Sequence, residues 1–155
     1  MIGPPIRVGV ISDTHGHLPG GVADAFDGMV RIIHAGDIDH PQVLDELRRI
    51  APVTAVRGNM DGGAWAERLP GSDMIQVGGV YLYVLHIVER LDIDPASAGV
   101  HVVINGHSHR PMNEVRDGVL FFNPGSACYP RNGMPPSVGI LDICGDRVHG
   151  HIRSL

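Results

Sequence analysis

Three apolar runs in the first sixty residues, at 6–11, 30–35 and 53–56, constrain this chain more than any other feature. The first is nearly unbroken by polar residues, which is how a strand covered on both faces reads, and the others are read as a second buried strand and a third strand. Between the first two, Leu18, Val22, Ala25, Phe26 and Met29 recur at helical spacing, with Pro19 near the start. Between the second and third, Pro41 opens a helix that carries Val43, Leu44, Leu47 and Ile50. The pattern is β-α-β-α-β, the mark of a parallel sheet with right-handed crossovers.

The second half changes character. Residues 74–77 and 80–86 flank Gly78-Gly79 as a hairpin. A polar segment containing Pro95 is read as one further helix, followed by a buried strand over 100–104. Two more hairpins turn at Asp117-Gly118 and at Gly145-Asp146. The expectation is an α/β chain forming one domain over residues 1–155: two mixed sheets face to face, with helices outside.

Composition excludes several classes of function. A chain of 155 residues with 43% apolar and 19% charged residues can bury a real core and is not disordered. Its net charge is −5 and it has no basic run, which argues against a duplex-DNA or anionic-membrane surface. Cys128 and Cys144 form no framework of disulfides, and a reducing cytoplasm suits them. The opening residues, with Pro4, Pro5 and Arg7, do not read as a secretory signal. Ten histidines are the unusual count, because imidazole is the commonest metal ligand.

Their positions give the count a meaning. Open α/β sheets bind ligands outside the carboxyl ends of their strands. Asp13 and His15 follow the first strand, Asp37 the second, and Asn59 and Asp61 the third. His86 ends a later strand, and His107 and His109 follow the next. Seven of these, Asp13, His15, Asp37, Asn59, His86, His107 and His109, are too many ligands for one ion and suit two that share a carboxylate. Imidazole and carboxylate without thiolate favour Mn, with Ni, Fe, Co or Zn as alternatives.

Taken in order, the motifs are Asp13-Thr14-His15, Gly36-Asp37, Gly58-Asn59-Met60-Asp61, His86 and Gly106-His107-Ser108-His109, followed by Asn123-Pro124-Gly125-Ser126. With them the chain resembles the calcineurin-like metallophosphoesterases, specifically their small prokaryotic phosphodiesterase branch of the YfcE type. That resemblance implies a four-layer αββα sandwich. It implies one ion on Asp13, His15, Asp37 and His109, and a second on Asp37, Asn59, His86 and His107. It also implies hydrolysis of a small phosphate ester by a hydroxide held between the ions, with catalytic roles for Asp37, Asn59 and His107. Homo-oligomers are common in the branch.

Two positions depart from the family. His86 is followed by Ile87-Val88 where Gly-His is frequent, and Met60 stands where related nucleases and phosphatases carry a proton-donating His. General-acid help is worth about 10²–10⁴-fold, so good leaving groups are expected, with the proton coming from water, from a non-ligand histidine such as His17, or not at all. Two roles are open to His34: orienting Asp37, or filling the core. Ser126 and Arg131 either meet the substrate phosphate or belong to a structural turn. The rival functions are a protein-interaction scaffold, as in the retromer subunit of this fold, and a small nuclease or nucleotidase.

Overall fold

The computed structural model describes residues 3–155. Its first half is β1 (Ile6–Ile11), α1 (Gly21–Ala25), β2 (Arg31–His34), α2 (Pro41–Arg48) and β3 (Val53–Ala55). After α3 (Ala64–Glu67) come β4 (Ser72–Val77), β5 (Val80–Leu85), β6 (Val102–Ile104), β7 (Met112–Arg116) and β8 (Val119–Asn123). The chain closes with β9 (Ser137–Cys144) and β10 (Arg147–Ser154).

The strands form two five-stranded sheets, ordered β10-β9-β1-β2-β3 and β4-β5-β6-β8-β7. In the first, β1, β2 and β3 run parallel, and in the second β5, β6 and β8 do. The remaining pairings are antiparallel hairpins and the β1–β9 ladder. This is the expected mixed two-sheet sandwich flanked by helices.

Alternation along β1 shows how the layers are held. Val8 and Val10 enter the core between the sheets with Ile33, Leu82, Val84, Ile104 and Phe122. Ile11 turns the other way, against Val22, Phe26, Val43, Leu44 and Leu47 of the helical layer. Gly9 lies under the Phe26 ring, where any Cβ would overlap it. The outer face of the second sheet carries Val103, Phe121 and Val119, covered by Val88, Leu91 and Ile93.

Two helices differ from expectation. The first shrinks to Gly21–Ala25, because Gly28 takes φ +80° and stops it. The segment with Pro95 is only a turn: Asp94 Oδ2 accepts from Ser97 Oγ, and Gly99 at φ +79° ends it within one turn. A 3₁₀ turn at Val88–Arg90 lies on that side instead. No helix among the described residues is long and apolar enough to cross a membrane.

Candidate metal centre

The parallel strands of both sheets deliver their carboxyl ends to one edge of the sandwich. The β1–β2 ladder continues past the strands, with Asp13 N–H donating to Gly36 O (3.0 Å), His15 N–H to Asp37 O (3.1 Å) and Gly16 N–H to Ile38 O (2.7 Å). The first two loops are thus zipped side by side. From the other sheet, Gly106 N–H donates to His86 O, and His107 N–H reaches across to Asp13 Oδ2 (both 3.0 Å). Close approach requires glycine here: a Cβ on Gly106 would overlap Ser12 Oγ, and one on Gly58 would overlap Asp37.

Six residues of these loops, Asp13, His15, Asp37, Asp39, His107 and His109, hold positive φ between 47° and 70°. Asp and His tolerate the left-handed region better than most residues, but it is sparsely populated and clusters at functional sites. Here it turns side chains of successive loops toward one point. Asp13, His15 and His109 bring ligand atoms within 4.8 Å of one another, and so do Asp37, His86 and His107. Asp37 Oδ2 lies 3.2 Å from His86 Nε2 and 4.0 Å from His15 Nε2, so it faces both groups. Asn59 Oδ1 stands 3.1 Å from His107 Nδ1.

The histidine tautomers follow from their outer partners. His15 Nδ1 meets Asp39 Oδ2 (2.9 Å), His86 Nδ1 meets Ala35 O (2.7 Å), and His109 Nδ1 meets Tyr129 O (2.5 Å). A carboxylate and a carbonyl only accept, so each Nδ1 carries the proton and each Nε2 presents a lone pair inward. His15 Nε2 and His109 Nε2 then face each other at 3.3 Å, and His109 Nε2 faces Asp13 Oδ1 at 3.3 Å. Buried Asp13 Oδ1 and His86 Nε2 have no hydrogen-bond partner, and they lie 3.8 Å apart. Acceptors packed on acceptors in a buried site repel unless a cation lies among them, so the donor set fits divalent metal.

The surrounding charges show the same need for positive charge, which a proton on His86 meets in part without an ion. Burial raises the Asp37 carboxyl, but His86, the Met60 N–H (2.9 Å to Oδ1) and His15 outweigh it and hold the group below its ordinary range. Burial lowers the His86 imidazole, yet Asp37 and Asp13 hold it above its ordinary value. Two residues with no assigned role organise the loops. Asp39 fixes His15. Asp61 accepts N–H groups from Ile38 (2.9 Å) and Asp39 (2.8 Å) on one oxygen and from Asp37 (3.1 Å) and Gly58 (2.8 Å) on the other. Burial pushes the Asp61 carboxyl up despite these donors. Asp61 stood in the motif, but nothing local to it signalled that task.

The remaining candidates separate. His34 is fully buried against Thr14 and the Gly36 N–H, a support beneath the loop rather than a group facing the centre. Ser126 is also buried: its Oγ donates to Asp13 O (2.8 Å) and accepts the Tyr129 N–H (2.8 Å), so it pins the first loop. His17 is exposed and lines a neighbouring groove with Pro19, Cys128 and Tyr129. Arg131 is exposed on the loop before β9 and belongs to neither ligand group. Met60 is 62% exposed at the rim.

Two mixed sheets with an acceptor-rich site at one edge make this a domain built to hold metal. Residues 6–146 match the family model described as the calcineurin-like phosphoesterase superfamily domain. A probable metallophosphoesterase of Methanothermobacter thermautotrophicus is 36% identical, covering 94% of this chain and 90% of its own. Phosphodiesterase YfcE of Escherichia coli is 29% identical, covering 84% of each. Vacuolar protein sorting 29 of Cryptosporidium parvum superposes with TM-score 0.82 at 21% identity, over 99% of this chain and 93% of its own, which shows the shared fold. The chain belongs to the calcineurin-like phosphoesterase superfamily, in its YfcE-type branch.

Proposed function

We propose that this protein is a metal-dependent phosphodiesterase acting on small phosphate esters through two divalent ions. Asp13, His15, Asp37 and His109 would hold one ion, and Asp37, Asn59, His86 and His107 the other. A pair of ions about 3.5–4 Å apart supplies Lewis acidity and an activated hydroxide for in-line displacement at phosphorus. The observation that carries this reading is the facing of acceptors: Asp13 Oδ1, His15 Nε2 and His109 Nε2 crowd together, and His86 Nε2 lies between Asp13 and Asp37, so positive charge is called for among them. Neither Cys128 nor Cys144 joins them, which favours Mn over a thiolate-loving ion.

The chain's own residues do the rest. Asp37 Oδ2 faces both ligand groups, so it would set their separation. Asn59 and His107 lie on the exposed side and would orient the substrate phosphate. Met60 offers no proton, which favours esters whose leaving group needs none. Vacuolar protein sorting 29 shares the fold, and that of Entamoeba histolytica has been solved with Zn²⁺, so the buried acceptors argue for a metal, and the likeness to phosphodiesterases is what favours the enzyme over a scaffold.

Metal-stripped protein resupplied with Mn²⁺ should hydrolyse bis(p-nitrophenyl) phosphate. Partners that merely orient ligands are worth about 10–100-fold, so Asp37→Ala and His109→Ala should each fall at least that far, with reduced bound metal by elemental analysis. Undiminished metal-dependent turnover in both variants would refute the assignment.

A further inference from the structure

Beside the His86 group lies a cleft of about 590 Å³ that the metal site does not explain. Asn59 and His86 line it at the metal side, Tyr83, Leu85 and Ile87 give it an apolar wall, and Arg57 and Arg90 reach into it. Both arginines are exposed, and neither has an ion-pair partner among the described residues. Ion pairs hold Arg7, Arg48 and Arg116, and most other arginines among the described residues are unpaired, so what sets Arg57 and Arg90 apart is that both line one cleft beside the His86 group. Asp61 also lines the cleft, but its oxygens are taken by four backbone N–H groups. Asp92 is the other carboxylate there.

The placement has a local cause. Arg57 leaves β3 one residue before Gly58, its N–H fixed to Pro70 O at 2.8 Å. Arg90 closes the 3₁₀ turn Val88–Arg90, which begins directly after Ile87, and its N–H donates to Ile87 O at 3.0 Å. The Ile87-Val88 departure from the family pattern therefore leads into the turn that carries Arg90. Two guanidinium forks over an apolar wall match a phosphate group attached to a flat or apolar body. The volume suits one small molecule.

We infer that this cleft is a second anion subsite, in which Arg57 and Arg90 select phosphodiesters carrying an additional phosphate on one arm. The inference rests on the proposed phosphodiesterase reading, because the reacting phosphate is placed at the adjoining metal centre. Selectivity then comes from the charge of the distal arm, not from the ester that is cleaved.

The test compares two substrates with one leaving group: the p-nitrophenyl ester of thymidine 5′-phosphate, with and without a 3′-phosphate. In each, water adds to phosphorus, the bond to the phenol oxygen breaks, p-nitrophenolate leaves and the spare proton goes to solvent. With Mn²⁺-loaded protein, the 3′-phosphorylated ester should show the lower KM. Arg57→Gln/Arg90→Gln should raise that KM by about tenfold or more, as expected for charged hydrogen bonds. The KM of the plain ester should stay within about twofold by the same reasoning. Arg7→Gln/Arg147→Gln, at the opposite end of the sandwich, removes the same two charges and controls for net charge.

Calorimetric binding of thymidine 3′,5′-bisphosphate against thymidine 5′-phosphate gives a readout independent of turnover. The bisphosphate should bind more tightly to the wild type and lose that advantage in the double variant. Equal effects of the double variant on both substrates and both ligands would overturn the subsite. If neither ester is hydrolysed while the binding preference persists and vanishes in the double variant, the phosphodiesterase reading fails and the subsite stands.

Discussion

At the residue scale, His34 shows how burial fixes a protonation state. Its ring has no exposed surface, and its Nδ1 accepts the Gly36 N–H at 3.1 Å. The proton therefore sits on Nε2, 3.0 Å from Thr14 Oγ1, whose hydroxyl donates to Ile38 O. Burial, and then the positive charge of His86, drives its pKa from 6.5 down to about 3, against the pull of Asp37. In the unfolded chain the same group titrates near its ordinary value. Between those two values the unfolded state takes a proton that the folded state refuses. Stability from this group is complete above about pH 6.5 and declines as pH falls toward 3. His34→Asn keeps an acceptor for Gly36 and cannot titrate. In urea unfolding of metal-free protein from pH 6 to pH 4, the wild type should lose about 1.4 kcal/mol per pH unit more than the variant. Parallel slopes would show that His34 is not the buried base described.

At the element scale, the site is a set of loops tied to one another more than to their strands. Asp61, on the loop after β3, holds the loop after β2 by three of its four backbone hydrogen bonds. Asp61→Asn replaces one acceptor oxygen with an amide that can only donate, set against N–H groups. Each stranded N–H costs about 1–3 kcal/mol. The variant should therefore lose at least about 2 kcal/mol in denaturant unfolding, and metal affinity should fall about 10–100-fold in calorimetric titration. Unchanged values of both would leave Asp61 a bystander. The same scale explains what the sequence could and could not say. Strand ends were legible because buried strands are apolar, because Gly36, Gly58 and Gly106 stand directly before Asp37, Asn59 and His107, and because Asp13, His86 and His109 fall at or just past strand ends. The supports were not. Asp39 finds His15 twenty-four residues upstream, and the acceptors for His86 and His109 are the carbonyls of Ala35 and Tyr129, which any residue supplies. The helix expected near Pro95 failed because Gly99 must turn the chain before Val100 so that β6 can enter the sheet.

At the scale of the whole molecule, the metal centre is a joint between two sheets that share no ladder. The sheets meet through side-chain packing of Val8, Val10, Ile33, Leu82, Ile104 and Phe122, which extends from the core to the edge where the loops lie. Asp13, His15, Asp37 and Asn59 follow strands of the first sheet, whereas His86, His107 and His109 follow strands of the second. Each proposed ion is thus gripped from both sides: Asp13, His15 and Asp37 with His109, and Asp37 and Asn59 with His86 and His107. Removing the ions leaves Asp13 Oδ1 opposed to the inward Nε2 atoms across the joint, with three hydrogen bonds linking these loops: His107 N–H to Asp13, His107 Nδ1 with Asn59 and His86 Nδ1 to Ala35 O. Metal should therefore stabilise the fold by mass action, by about 2.7 kcal/mol at a hundredfold excess over Kd. Chelation should lower Tm, and Mn²⁺ should raise it with the logarithm of its concentration. Hydrogen exchange should localise the loss. Amides at 12–16, 36–39, 58–61 and 105–109 should exchange faster in stripped protein, while the interiors of β1, β5 and β9 keep their protection. A Tm and exchange pattern indifferent to chelator would mean that packing alone joins the sheets and that no ion spans them.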